Sequence, residues 1–291
     1  MANPMLNEKL FDRPAGGPGV AVRQPPPSMP PAAWGSAPTQ AWDTQPIHPM
    51  DAPPAGRPMT FGGTSSAAAL MLAVMAVGAW FGWHQVTPTP APTLQDPDAA
   101  TASMSSAAWL WGPLVIGLVL ALVTAFMPKI ARFTSLPYAL AEGVFLGVIS
   151  HLYDSQSQGI AIQALLATCG VFLTMLALYG LRILRATPKF TKGVIAATLG
   201  IGAMYLVGWI ASMFGADSLR FWASSSPLGI GISVVIVMVA AFNLILDFDM
   251  IERGVQTKAP AYMEWYAAFG LIVTIVWLYL EILRLLSKLR D

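Results

Sequence analysis

The chain has 291 residues, of which 55% are apolar and only 11% charged, with a mean hydropathy of +0.60. Soluble domains carry about 25% charged residues, so this composition is that of a membrane protein rather than a water-soluble domain. A formal net charge of +1, with no basic stripe, excludes a nucleic-acid partner.

Residues 1–64 contain "GGPGV", "RQPPPSMPPAAW" and "HPMDAPPAGRPM". A stretch so rich in Pro, Gly and polar residues, without apolar periodicity, cannot bury enough surface to offset its ordering entropy. A disordered tail is expected there. No apolar core follows a basic start, so the tail is not read as a cleaved secretory signal. Its Pro-Pro-Pro run is read as part of a plain solvated tail, with a ligand for a proline-binding module as the alternative.

From residue 65 to 291 apolar runs dominate. A hydrocarbon core of about 30 Å needs roughly 20 apolar helical residues. Seven stretches qualify or nearly so, approximately 66–84, 107–127, 137–153, 160–184, 193–214, 227–249 and 263–286. No outer-membrane strand alternation is visible, so the expected fold class is an all-α membrane protein of seven transmembrane helices. The third stretch is the shortest and holds Glu142, Ser150 and His151. Cys169, the single cysteine, lies in an apolar run; it excludes an intrachain disulfide and reads as a small buried hydrophobe.

The connecting loops set the expected orientation. Lys129 and Arg132 follow the second stretch, Arg182, Arg185, Lys189 and Lys192 the fourth, and Arg253 and Lys258 the sixth. The alternate loops carry a single basic residue, Arg220. The positive-inside rule then places the first set in the cytoplasm, together with the amino-terminal tail and its Lys9, Arg13, Arg23 and Arg57. One end disagrees. Seven crossings put the carboxyl terminus outside, yet "RLLSKLRD" carries Arg284, Lys288 and Arg290. Either the rule fails at that span, or the segment around 263–286 enters without crossing simply.

Four acids lie within the apolar runs: Glu142, Asp247, Asp249 and Glu281. Each costs about 2.5–3.5 kcal/mol on insertion scales, and such groups normally face a bundle interior or a hydrated cavity. Asp249 is followed at once by Glu252 and Arg253, which also suits a hydrated interface. Glu281 has Arg284 three positions on, so a helical ion pair is the competing reading. Glu142 and Asp247 are expected at similar cytoplasmic depth. Asp247 and Asp249 lie about 200° apart around a helix, so only one can face the bundle. A cluster of Glu142, Asp247 and Asp249, with Glu281 deeper along the same path, would repel itself and share a proton or a cation. Oxygen-only ligands suit a hard cation such as calcium.

The segments "YALAEGVFLGVIS", "LDFDMIERGV" and "AAFGLIVTIVWLYLEILRLLSKLR", supported by "RATPKF" and "SPLGIGISV", resemble the Bax inhibitor-1/YccA family, particularly its bacterial branch. The resemblance covers roughly residues 65–290 and leaves the tail outside. It implies a seven-helix fold with the last helix central, in an inner (plasma) membrane. It also implies a pH-sensitive calcium leak gated by two hydrogen-bonded acids on the last two helices. Asp247 and Glu281 match those acids and would be the weak calcium ligands; Glu281 stands where some members have aspartate. A basic residue near the second helix pairs with the two acids in one state of the family, and Lys129 and Arg132 are the candidates here. Asp247 and Glu281 are 34 positions apart, however. A short turn near 255–262 would leave them on the order of 15 Å apart in depth.

The competing function is a regulatory membrane protein. Some bacterial members modulate a membrane-bound ATP-dependent protease, and a long cytoplasmic tail suits docking. An enzyme is not expected: Ser150 and His151 point about 100° apart on a helix, and no Gly-x-Ser-x-Gly turn accompanies them. His48, His84 and His151 show no metal-ligand spacing. No cofactor is expected beyond weakly bound calcium. Gly143 and Gly147, four apart, suit close helix packing.

Overall fold

A computed structural model of the chain describes residues 57–85, 99–215, 222 and 224–290, with the side chains of 99–107 excepted. Seven helices make up its framework: α1 (Phe61–Gln85), α2 (Ala99–Phe126), α3 (Ala131–Gln156), α4 (Ile160–Gly180), α5 (Pro188–Met213), α6 (Pro227–Gln256) and α7 (Tyr262–Arg290). All seven carry a segment long and apolar enough to cross a bilayer. No strand occurs among the described residues; Pro58 and Pro260 form one isolated antiparallel bridge.

Local chemistry explains the helix starts. Thr187-Pro188 opens α5 and Ser226-Pro227 opens α6. In each case the hydroxyl caps a backbone N–H (Phe190 at 3.3 Å, Gly229 at 3.2 Å) and Pro occupies the first turn. Between α3 and α4, Gly159 takes a positive φ of 78° and its N–H donates to the Asp154 carboxylate at 2.8 Å. α3 is 26 residues long, not the shortest span that its sequence suggests. Its polar residues break the hydropathy signal because they face inward: Ser135, Glu142 and Ser150 are all buried.

α7 and α3 form the interior. More than half of each apolar window is buried (56% and 61%), against 11% for α2 and α5. α7 packs on α1, α3, α4 and α6, which agrees with a central last helix. One core layer joins Met71 and Met75 of α1, Tyr138 and Leu146 of α3, and Phe269, Ile272 and Val276 of α7. A second joins Ile160 and Ala164 of α4, Leu244 and Phe248 of α6, and Leu278 and Ile282 of α7. The outer faces stay apolar, as at Leu166 (66% exposed) and Leu199 (68%). Such a surface is stable only against lipid. Cys169 lies on that exposed side of α4, so it is not the buried hydrophobe its apolar neighbours imply.

The closest helix contact runs between α1 and α3. A Cβ on Gly78 would fall 2.6 Å from the Leu140 carbonyl oxygen. One on Gly82 would strike the Val144 backbone, and ones on Gly143 and Gly147 would strike the backbone of Met75 and Ala79. Two small-xxx-small pairs therefore let the helices touch backbone to backbone.

At the far end from the start of α1, α7 finishes among partners. Arg290 donates to the Gln158 carbonyl and to Gln163 Oε1. The buried Lys288 ammonium donates to the Trp222 and Gly229 carbonyls and to Ser233 Oγ. α7 is thus a full seventh helix from one end of the bundle to the other. Of its last basic residues, Lys288 is buried, whereas Arg290 makes its bonds at the surface.

Candidate functional site

The four acids of the apolar runs fall in three different places. Asp247 points from α6 toward α7. A Cβ on Gly270 would lie 3.8 Å from Asp247 Oδ1, and the Thr274 hydroxyl is within hydrogen-bonding reach of the carboxyl group. Its other oxygen, Oδ2, is buried with no hydrogen-bond partner. One turn earlier Asn243 donates to Thr198 Oγ1 at 2.8 Å, giving α5 and α6 a polar crossing.

Asp249 points away from Asp247, as a two-residue helical offset demands. It pairs with Arg253 at the edge of a groove of about 290 Å³, lined also by Tyr179, Arg182, Arg185 and Glu252.

Glu281 is 2% exposed. Its Oε1 accepts from Tyr205 Oη at 2.8 Å, and both oxygens accept from Arg284 Nη1 at 3.0 and 3.1 Å. The Arg284 group also donates to Tyr205 Oη at 2.7 Å and lies over the tyrosine ring. This arrangement leaves Glu281 fully partnered. It is a buried version of the ion pair expected from the i, i+3 spacing.

Asp247 and Glu281 therefore do not meet. Asp247 lies opposite residues 270–274 of α7, and Glu281 is seven to eleven positions further along. At 1.5 Å per residue the offset is about 10–16 Å. The hydrogen bond implied by the family resemblance is absent in this state, and its acids serve different neighbours.

Glu142 is buried in α3, and a Cβ on Gly117 of α2 would lie 2.6 Å from its Oε2. It makes no hydrogen bond or ion pair among the described residues. One turn before it, Tyr138 packs edge-on against Phe269 of α7 at 5.0 Å. α3 and α6 are not side-by-side neighbours, so Glu142 shares no interface with Asp247. Among the described residues, no three His, Cys, Asp or Glu side chains gather closely enough to hold a metal ion. Lys129 and Arg132 are exposed beside the start of α3 and pair with none of these acids.

Ser150 hydrogen-bonds to Tyr279 at 2.6 Å, and His151 packs edge-on against Trp83 with its Nδ1 buried and unpartnered among the described residues. The serine hydroxyl is thus turned to a tyrosine of another helix.

Sequence reasoning missed Tyr205, Thr274 and the buried Lys288 and Glu264. Tyr205 is 76 positions from Glu281, a distance no local pattern bridges. Lys288 stands in a basic carboxyl-terminal run, where nothing in the sequence marks it as buried.

A family model described as Bax inhibitor 1 like matches residues 3–291, nearly the whole chain including the tail. The chain belongs to that family. Neither the curated proteins nor the solved structures compared with it gave a match.

Proposed function

We propose that this member of the Bax inhibitor 1 like family is a pH-sensitive cation leak of its membrane, with calcium the cation suited to carboxylate oxygens and Asp247 the group that senses protons. The observation that carries the reading is the buried, partnerless Oδ2 of Asp247 at the α6–α7 contact. A carboxylate there is costly unless it gains a proton or a cation. Protonation keeps α6 and α7 together, whereas a charged group favours an arrangement that admits water or a cation. Glu142, buried in α3 beside Gly117 of α2, differs in that neither of its oxygens is both sealed from solvent and without a partner among the described residues, so Asp247 is the single sensor. Glu281 contributes differently, by binding Tyr205 of α5 and Arg284 of its own helix. Few carboxylates and no rigid ligand loop give weak calcium binding, which fits a leak.

The alternative is a regulatory protein whose tail docks a membrane-bound ATP-dependent protease or another partner. One observation favours it: the last residues before α1 are bonded to the α6–α7 turn, so a load on the tail reaches the helices that flank Asp247. Deleting residues 1–56, which spares Arg57 and α1, separates the readings. A leak keeps its calcium flux in proteoliposomes; a docking protein passes no calcium with or without the tail and loses its partner on truncation.

A further inference from the structure

Four residues ahead of α1 bind across the opposite turn. The Met59 N–H donates to the Ala259 carbonyl at 2.7 Å, with Pro58 bridged to Pro260. The Met59 side chain is 3% exposed, and its sulfur fills the space a Cβ on Gly254 would need. Glu264, at the start of α7 and 7% exposed, accepts from Arg57 Nη2 at 3.1 Å, from Thr60 N–H at 2.9 Å and from Thr60 Oγ1 at 2.8 Å. A single carboxylate thus ties the start of α1 to the start of α7, while Met59 closes on the end of α6.

The position of this strap gives it meaning. Gly254 lies seven residues past Asp247 on α6, and Glu264 six residues before Gly270 on α7. Only about 10 Å of helix separates the strap from the carboxyl group. The strap spans the two helices, so α6 and α7 cannot part at that end without taking Met59 off Gly254 of α6 or breaking the strap's bonds to Ala259 and Glu264. Arg57 is largely exposed and reaches Glu264 from the solvent side, so the hold is open to competition from water and from anything that draws on the preceding chain.

We propose that residues 57–60 form a releasable latch that closes the tail-side approach to Asp247. The proposal rests on Asp247 as the proton-sensing group, but its test needs no ion flow. In a Cys169→Ala background, Thr274→Cys places a reporter thiol beside Asp247. Its rate of labelling by a small cationic, membrane-impermeant thiol reagent is measured in nanodiscs. Amide exchange of residues 57–61 and 254–261 is measured alongside. Arg57→Ala with Thr60→Val should raise both exchange and labelling, the latter on the order of tenfold for loss of a charge-assisted hydrogen bond. Met59→Ala, which removes the packing on Gly254, should raise both as well. Arg57→Lys should stay slow.

Faster exchange with unchanged labelling would reduce the strap to a structural staple and overturn the latch. Unchanged exchange in both variants would overturn it as well, since the contacts would not hold the turn. A chain that passes no calcium while labelling follows the strap sinks the leak and leaves the latch standing.

Discussion

Two buried acids of similar sequence appearance have opposite energetic standing. Glu281 accepts from Tyr205 and Arg284, so neutralising it leaves a guanidinium facing a tyrosine without its counter-charge. Glu281→Gln should lower the melting temperature, by a loss of about 2 kcal/mol. Asp247 has an oxygen with no partner, so removing its charge relieves a cost. Asp247→Asn should raise the melting temperature at neutral pH. Thermal unfolding of both variants in the same detergent checks the pair, and equal losses would contradict the distinction. The sequence made both acids visible as anomalies in apolar runs, and it made Arg284 visible through its spacing. It could not show which acid is satisfied, because Tyr205 and Thr274 come from tertiary packing.

At the level of helices, the α1–α3 contact depends on four glycines in two facing pairs. Gly147→Val or Gly82→Val places atoms on opposing backbone that cannot rotate away. Each should cost about 1–3 kcal/mol or more and reduce the yield of monodisperse protein. Gly112→Ala and Gly170→Ala, with nothing within 4 Å of the added carbon, should leave melting unchanged or slightly raised. The Gly143–Gly147 pair was legible from its spacing alone. Its counterpart, Gly78 and Gly82, has the same spacing, and only the fold shows that the two face each other. α3 was underestimated because hydropathy treats inward polar residues such as Glu142 and Ser150 as interruptions. The start of α1 falls at Phe61, a few residues before the tail was expected to end, because Thr60 and Glu264 organise that turn.

Across the whole molecule, seven apolar helices and a tail of different composition were readable from hydropathy and Pro content. The fate of the carboxyl end was not. Its basic residues contradict a charge-counted topology, but Lys288 is buried and does not act as a solvated charge. Lys288 and Arg290 are held by Trp222, Gly229, Ser233, Gln158 and Gln163, at the end of the bundle opposite the strap. Reporters fused to the two termini should therefore lie on opposite sides of the membrane; reporters on one side would contradict seven crossings. The same frame places Asp247 between helices that the strap closes, and the functional account depends on that carboxyl group changing its proton occupancy. The most direct test is calcium efflux from proteoliposomes across pH for wild type and Asp247→Asn. Asparagine imitates the neutral acid at every pH. The variant should lose its pH dependence and stay at the rate the wild type reaches at its acid limit, while Glu281→Gln keeps a pH response. An Asp247→Asn profile that still follows the wild type would contradict the account.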